Sequence, residues 1–293
     1  MRLHLSIAIF SLFTLVGCGK KGDVIHDYIT LPNHLKEVSG MHYDTNSNTF
    51  WVLQDSGNKN EIYQLDNKGN IIHTLEIENA ENIDWEELTA DQQGNLYIGD
   101  FGNNKNQRKD LRILKINKED LTKSKATPSS IISFEYPEQT KFPPNDNEKL
   151  YDAEAFFHYN NNFYIFTKNR SKGFDGTSLV YKVPNESGNH KANLVQTFKG
   201  CNIYKHCAIT GAAISPDQKT FVLLSHSKIW IVDSFNPNAI LDGIITERKL
   251  KHISQKEAIT FGDNNTIYLA DEVKDKKGGK IYKVDLGPLK PKS

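Results

Sequence analysis

The sequence predicts an all-β chain folded as a single β-propeller, five-bladed on the simplest count. Three observations carry that prediction. The same strand pair recurs five times, the copies open 47 to 68 residues apart, and no amphipathic helix of ten residues or more is visible. Repeats of roughly 40–50 residues built from short strands are the signature of four-stranded propeller blades. The composition agrees with a folded body: 293 residues, 38% hydrophobic and 10% aromatic, are too apolar for a disordered chain. Lys+Arg and Asp+Glu balance at 36 each with no basic run. Nucleic acid is therefore excluded as the main partner, because phosphate binding needs clustered cations.

The N-terminus reads as an address. Arg2 precedes a mostly apolar stretch of about 14 residues, shorter than the roughly 18–20 that span a bilayer. Residues 1–17 are thus expected to be a signal peptide. Leu15-Val16-Gly17-Cys18 resembles the lipobox of bacterial lipoproteins, which makes Cys18 the lipidated first residue and 18–23 a short tether. An ordinary signal peptide with a Cys near its end is the alternative. The expected location is the outer membrane facing the periplasm, or the cell surface. Export leaves Cys201 and Cys207 as a local disulfide, with a metal site shared with His206 as the other option.

The propeller is expected over residues 24–286, with 287–293 as a tail. The five units open at Ser39, Glu86, Glu154, Thr210 and Glu257, and each runs strand, polar turn, strand. Gly, Asn, Asp and Pro bound these short β-branched and aromatic runs. Further strands follow each pair at 61–65 and 71–77, 111–116 and 130–136, 179–183 and 193–198, 228–232 and 244–251, and 280–284. The last unit lacks a fourth strand, and residues 24–31 form a strand without a unit. Joining the two closes the ring and hides an open edge. A sheet inside the insert 118–147 would make six blades instead.

The repeat carries carboxylates. The column opening the first strand reads Ser39, Glu86, Glu154, Thr210, Glu257, and two residues earlier stand Glu37, Asp84, Asp152, Ala208, Gln255. The column past the second strand reads Asp55, Asp100, Lys168, His226, Asp271. First strands line a propeller's axis, so these columns should converge on one mouth of the channel. So many acids cannot all ionise there without raised pKa values or a bound cation. Oxygen-only ligation suits a hard ion, and calcium takes six to eight oxygens. The expected ligands are Asp84, Glu86, Asp100, Glu154, Glu257, Asp55 and Asp271. Gly57 and Gly102 are expected to supply positive φ in the two similar turns Asp55–Asn58 and Asp100–Asn103. Trp51 and Trp230 read as packing between sheets, and Trp85 as either packing or an exposed stacking platform.

Asp-Trp-Glu at Asp84, Gly-Asp-Phe-Gly-Asn at Gly99, Asp-Ala-Glu-Ala at Asp152, Thr-Gly-Ala-Ala at Thr210 and Glu-Ala-Ile at Glu257 occur in fixed order. Together they resemble a family of exported bacterial β-propellers related to the SdiA-regulated proteins and to the group named for esterase-like activity of phytase. The resemblance implies a calcium-binding mouth at Asp84, Glu86, Asp100 and Glu154, with Glu257 behind them. The chain departs at Lys256, where relatives often have Gly, and at Phe101, where they often have an aliphatic residue. The leading expectation is a lipid-anchored, monomeric propeller that binds a divalent cation and through it a small or polymeric ligand. A metal-dependent ester or phosphate-ester hydrolase using Lys168, His226 and Glu154 is the alternative, although no nucleophile elbow is visible. A protein-interaction platform using loops 136–147 and 171–178 is the third.

Overall fold

The computed structural model of the protein describes residues 25–287. The expected signal peptide, Cys18 and most of the expected tail lie outside the described residues. Five sheets follow one another around a ring. Blade one is built from Val38–Asp44, Thr49–Gln54, Glu61–Leu65 and Ile71–Ile77, and blade two from Trp85–Ala90, Leu96–Asp100, Arg112–Ile116 and Ser130–Glu135. Blade three comprises Asp152–Tyr159, Asn162–Lys168, Thr177–Pro184 and Asn193–Lys199, and blade four Gly211–Ile214, Thr220–Leu224, Lys228–Asp233 and Ile244–Lys249. Blade five takes Lys256–Asp263, Thr266–Asp271 and Lys280–Asp285 from the C-terminal end, and its outer strand, Ile25–Thr30, from the N-terminal end.

The insert 118–147 holds no blade of its own. It contributes a short strand, Lys125–Ala126, running parallel to the outer strand of blade one, and then the outer strand of blade two. The ring is therefore five-bladed. Gly188–Lys191 adds a similar parallel strand to blade two. The described residues hold one short α-helix, Tyr204–Cys207, and no helix long and apolar enough to cross a membrane.

Each sheet is sandwiched between two neighbours, so its inner strands are apolar on both faces. Thr49–Gln54 and Thr220–Leu224 are buried throughout, whereas the outer strand Ile244–Lys249 is mostly exposed. The core is accordingly divided into five layers, one between each pair of blades. Trp51, Leu53, Trp85 and Ile98 fill the layer between blades one and two, and Phe157, Phe221 and Trp230 that between three and four. Trp85 is fully buried there, so the packing reading holds and the stacking platform does not. The Asn160 and Asn161 turn adopts positive φ at both residues, the mirror-image geometry that matches strand twist in a two-residue hairpin.

Candidate functional site: the acidic channel mouth

A backbone irregularity builds the mouth. The ladder between first and second strands slips at Ser39, Glu86, Glu154 and Glu257, each left as the extra residue between paired neighbours. A bulge of this kind re-aims one side chain and bends its strand. In blade four Thr210 stands just ahead of Gly211, and its N–H donates to the Leu224 carbonyl. The two hydroxyls among these residues clip blades together: Ser39 Oγ donates to the Trp85 carbonyl at 2.8 Å, and Thr210 Oγ1 to that of Lys256 at 2.7 Å. The three glutamates make no such clip and open on a shared cavity of about 310 Å³.

That cavity is lined by Asp55, Glu86, Glu154, Glu257 and Glu272, with Lys168, Arg170, His226 and Tyr204 among them. Its charges are unevenly neutralised. Lys168 contacts Glu154 and lies 3.6 Å from Glu257, while His226 Nε2 sits 3.1 Å from Glu257. Arg170 bonds Asp152 at 2.6 Å, contacts Glu154, and donates to the Tyr204 hydroxyl. Burial works to raise the Glu257 pKa, but Lys168 and His226 outweigh it and hold the carboxyl at about 2. Burial likewise works against the charge on Lys168, and Glu154 and Glu257 reverse that, raising it above its ordinary value.

Among the described residues no ion pair reaches Asp55, Asp84 or Glu86. One oxygen of each lies within 4.8 Å of the others, and Glu86 forms a second such triad with Asp152 and Glu154. Burial and the neighbouring charges of Asp55 and Asp152 push Asp84 up to about 7. Burial, then the charges of Glu154, Asp55, Asp152 and Asp84, raise Glu86 well above the carboxylate range. Glu86 is only 5% exposed, and its carboxyl, which opens on the cavity, has no ion-pair partner among the described residues. A buried acid without such a partner is costly unless it is protonated or faces a cation. The donor set, all oxygen, fits a hard divalent ion.

The other expected ligands go elsewhere. Asp100 is fully buried beneath Arg108 Nη2 at 3.0 Å and Arg112 Nε at 2.8 Å, and it accepts the Asp84 N–H. Asp271 accepts from the Tyr282 hydroxyl at 2.7 Å and the Lys280 N–H at 2.9 Å. Neither lines the cavity. Observed register explains the misplacement: Asp100 and Asp271 face Trp85 and Lys256, the residues just before the bulge, and their counterparts in blades one and three are Gln54 and Thr167, not Asp55 and Lys168. Asp55 corresponds to Glu272, because each donates its N–H to the residue two before the bulge, Glu37 or Gln255. Glu272, missed in the sequence, is raised to about 8 by burial and then the charges of Glu257 and Asp55.

Gly57 has the expected positive φ, +79°. Gly102 does not need it. A Cβ there would stand 2.1 Å from Glu86 Oε1 and 2.5 Å from the Asp84 carboxyl, so this glycine exists to let the acids close over the backbone. Cys201 and Cys207 are joined as a disulfide, Cα to Cα 5.4 Å, and the bridged loop carries Tyr204 to Arg170.

Below the mouth, the residues following the five openers are Gly40, Glu87, Ala155, Gly211 and Ala258, four small and one acidic. Glu87 fills the space they leave. From blade two, its Oε1 accepts from Met41 of blade one at 3.3 Å and from Leu88 at 2.9 Å, while a Cβ on Gly211 of blade four would stand 3.4 Å from its Oε2. Burial raises its pKa well above the usual range. Beyond this plug a second cavity, about 640 Å³, opens on the opposite face among His42, Trp51, Leu88, Ala212, Ile259 and Thr260.

Residues 25–142 match the model of a family described as SdiA-regulated, a stretch that spans the outer strand of blade five and the four antiparallel strands of each of blades one and two. The resemblance read from the motifs is borne out there. No curated protein matches the chain. Among solved structures, a nidogen/laminin complex contains a chain similar over 92% of this protein and 91% of its own length, at 11% identity and TM-score 0.51. The PQQ-bound aldose sugar dehydrogenase of Streptomyces coelicolor is similar over 89% and 97%, at 8% identity and TM-score 0.50. At such identities these likenesses speak for the fold alone.

Proposed function

We propose that the protein is a lipid-anchored envelope propeller, held by Cys18 and facing the periplasm, whose acidic mouth binds calcium. The cation sits at Asp55, Asp84 and Glu86, and a small or polymeric oxyanion ligand reaches it from the open side of the cavity. The observation that carries this reading is the triad without a counter-charge: Lys168, Arg170 and His226 are spent on Asp152, Glu154 and Glu257, and among the described residues no ion pair reaches Asp55, Asp84 or Glu86. A bound divalent ion supplies the missing positive charge and open coordination positions for a ligand oxygen. Asp100 and Asp271 serve the scaffold in this reading.

Calcium titration by calorimetry and thermal unfolding, on the chelator-treated protein and on Glu86→Gln, tests it. Calcium at about a hundred times its Kd should stabilise the wild type by roughly 2.7 kcal/mol and leave the variant unmoved. A wild type indifferent to calcium, or a variant that responds equally, refutes the site.

One observation favours a second reading, hydrolysis of a phosphate or carboxylic ester. His226, oriented by Glu257, opens on the same cavity as Asp55 and Glu86. His226 would handle the proton there, while Arg170 and Lys168 set the charge that faces an anionic group. Turnover of aryl phosphates or esters that vanishes in His226→Ala would support it; no turnover with any divalent metal would end it.

A further inference from the structure

Both faces of the ring expose large apolar side chains, but only on the face away from the mouth do they recur at the same place in successive blades. Every first strand begins at the acidic mouth, so every outer strand, three reversals later, begins at the opposite face. Large aliphatic residues are exposed at those beginnings in blades one to four: Ile72, Ile131, Leu194, Ile244 and Ile245, between 37% and 56% accessible. In blade five the same place belongs to Ile25, paired with Val284, while Thr30 at the other end pairs with Lys280 on the mouth side. Scattered surface aliphatics are ordinary, but these recur at one level in successive blades. The described chain thus begins within the rim that they form.

We propose that this rim rests on the lipid bilayer and that the acidic mouth points away from it. The inference rests on the reading of Cys18 as the anchor. Six residues separate Cys18 from Ile25, and a fully extended chain of that length reaches at most about 25 Å. Strands of six to eight residues make the body itself about 20–27 Å tall. Turning the mouth towards the bilayer would therefore consume the whole tether in running past the blades, whereas the rim reaches the surface without strain. Ile83, Ile203, Tyr204, Ile253 and Val273, also exposed, flank the mouth from loops and would then face the aqueous compartment. An acyl anchor holds best with a second membrane contact, and the rim supplies one.

The test uses the full-length lipidated chain in phosphatidylethanolamine–phosphatidylglycerol vesicles carrying nitroxide lipids. A fluorophore is placed through Gln92→Cys, on the turn beside the second cavity, or through Lys274→Cys, beside the mouth; both positions are exposed. Quenching about threefold stronger at position 92 than at 274 is expected, the difference falling towards equality in Ile72→Ser/Ile131→Ser/Ile244→Ser. Equal or reversed quenching in vesicle-bound wild type overturns the orientation while leaving the anchor standing. A gradient untouched by the triple variant overturns the role of the rim. Wild-type protein that stays soluble, with Cys18 unmodified by mass spectrometry, overturns the anchor and this inference with it.

Discussion

Without a metal, the mouth should make the protein less stable as pH rises. Asp84 is pushed up to about 7 from an ordinary 3.8. A pKa raised by the fold contributes stability that is complete below the unfolded value and is lost as pH climbs through the folded one. One unit corresponds to about 1.36 kcal/mol, so the ceiling for this carboxyl is about 4 kcal/mol. Between about pH 5 and about pH 8 the loss is about 2.5 kcal/mol, and screening at a partly open cavity reduces it to roughly 1–2 kcal/mol. For a domain of this size that is a fall in Tm of about 2–8 °C. Glu86, Asp55 and Glu272 are shifted in the same direction and add to the slope. Glu257 does not interfere: held at about 2, its contribution is present above its ordinary 4.5 and fades only as pH falls towards 2. Calorimetric scans in chelator at several pH values, on the wild type and on Asp84→Asn/Glu86→Gln, read the effect. The double variant should show a flatter profile and a higher Tm at about pH 8, and calcium should restore the wild type most at high pH. Parallel slopes in the two proteins would show that these acids carry no strain, and the reasoning would fail.

Three further outcomes follow from the same geometry. Lys168→Ala leaves Glu154 and Glu257 buried without their shared cation and should cost about 3–5 kcal/mol in denaturant unfolding; a loss below about 1 kcal/mol would show that the mouth rearranges freely. Gly102→Ala drives a methyl group into the Glu86 and Asp84 carboxyls, so calcium affinity by calorimetry should fall at least about tenfold with the near-ultraviolet spectrum intact. Cys201→Ser/Cys207→Ser opens a loop of only a few residues and should cost about 2 kcal/mol in the same denaturant assay, while freeing Tyr204 from Arg170.

The ring was legible because propeller sequences repeat their chemistry at each blade, and the lone strand at 24–31 had one place to go. The bulge was not legible. A period-two reading of Asp84 and Glu86 assumes an unbroken strand, whereas the slip at Glu86 turns that residue into the cavity independently of its neighbours. The same slip hid the proper counterpart of Asp55, so Glu272 was passed over in favour of Asp271, one residue earlier. Asp100 misled for a related reason: its turn does resemble the one at Asp55, but Arg108 and Arg112, eight and twelve residues on, consume its charge. Gly102 was right as a position and mistaken in cause, since crowding by side chains from another strand leaves no trace in local sequence.

The strand that begins the described chain is also the piece that finishes the circle. Ile25–Thr30 leaves the ribosome before any blade exists, yet its partner, Lys280–Asp285, is among the last segments made. During synthesis this segment must wait unmated while roughly 250 residues arrange themselves, a loop closure as long as the molecule permits. Shortened versions that start beyond Thr30 would expose Lys280–Asp285 as a bare flank open to intermolecular pairing. A pull on Ile25, in turn, is borne by the seam where the polypeptide meets its own end.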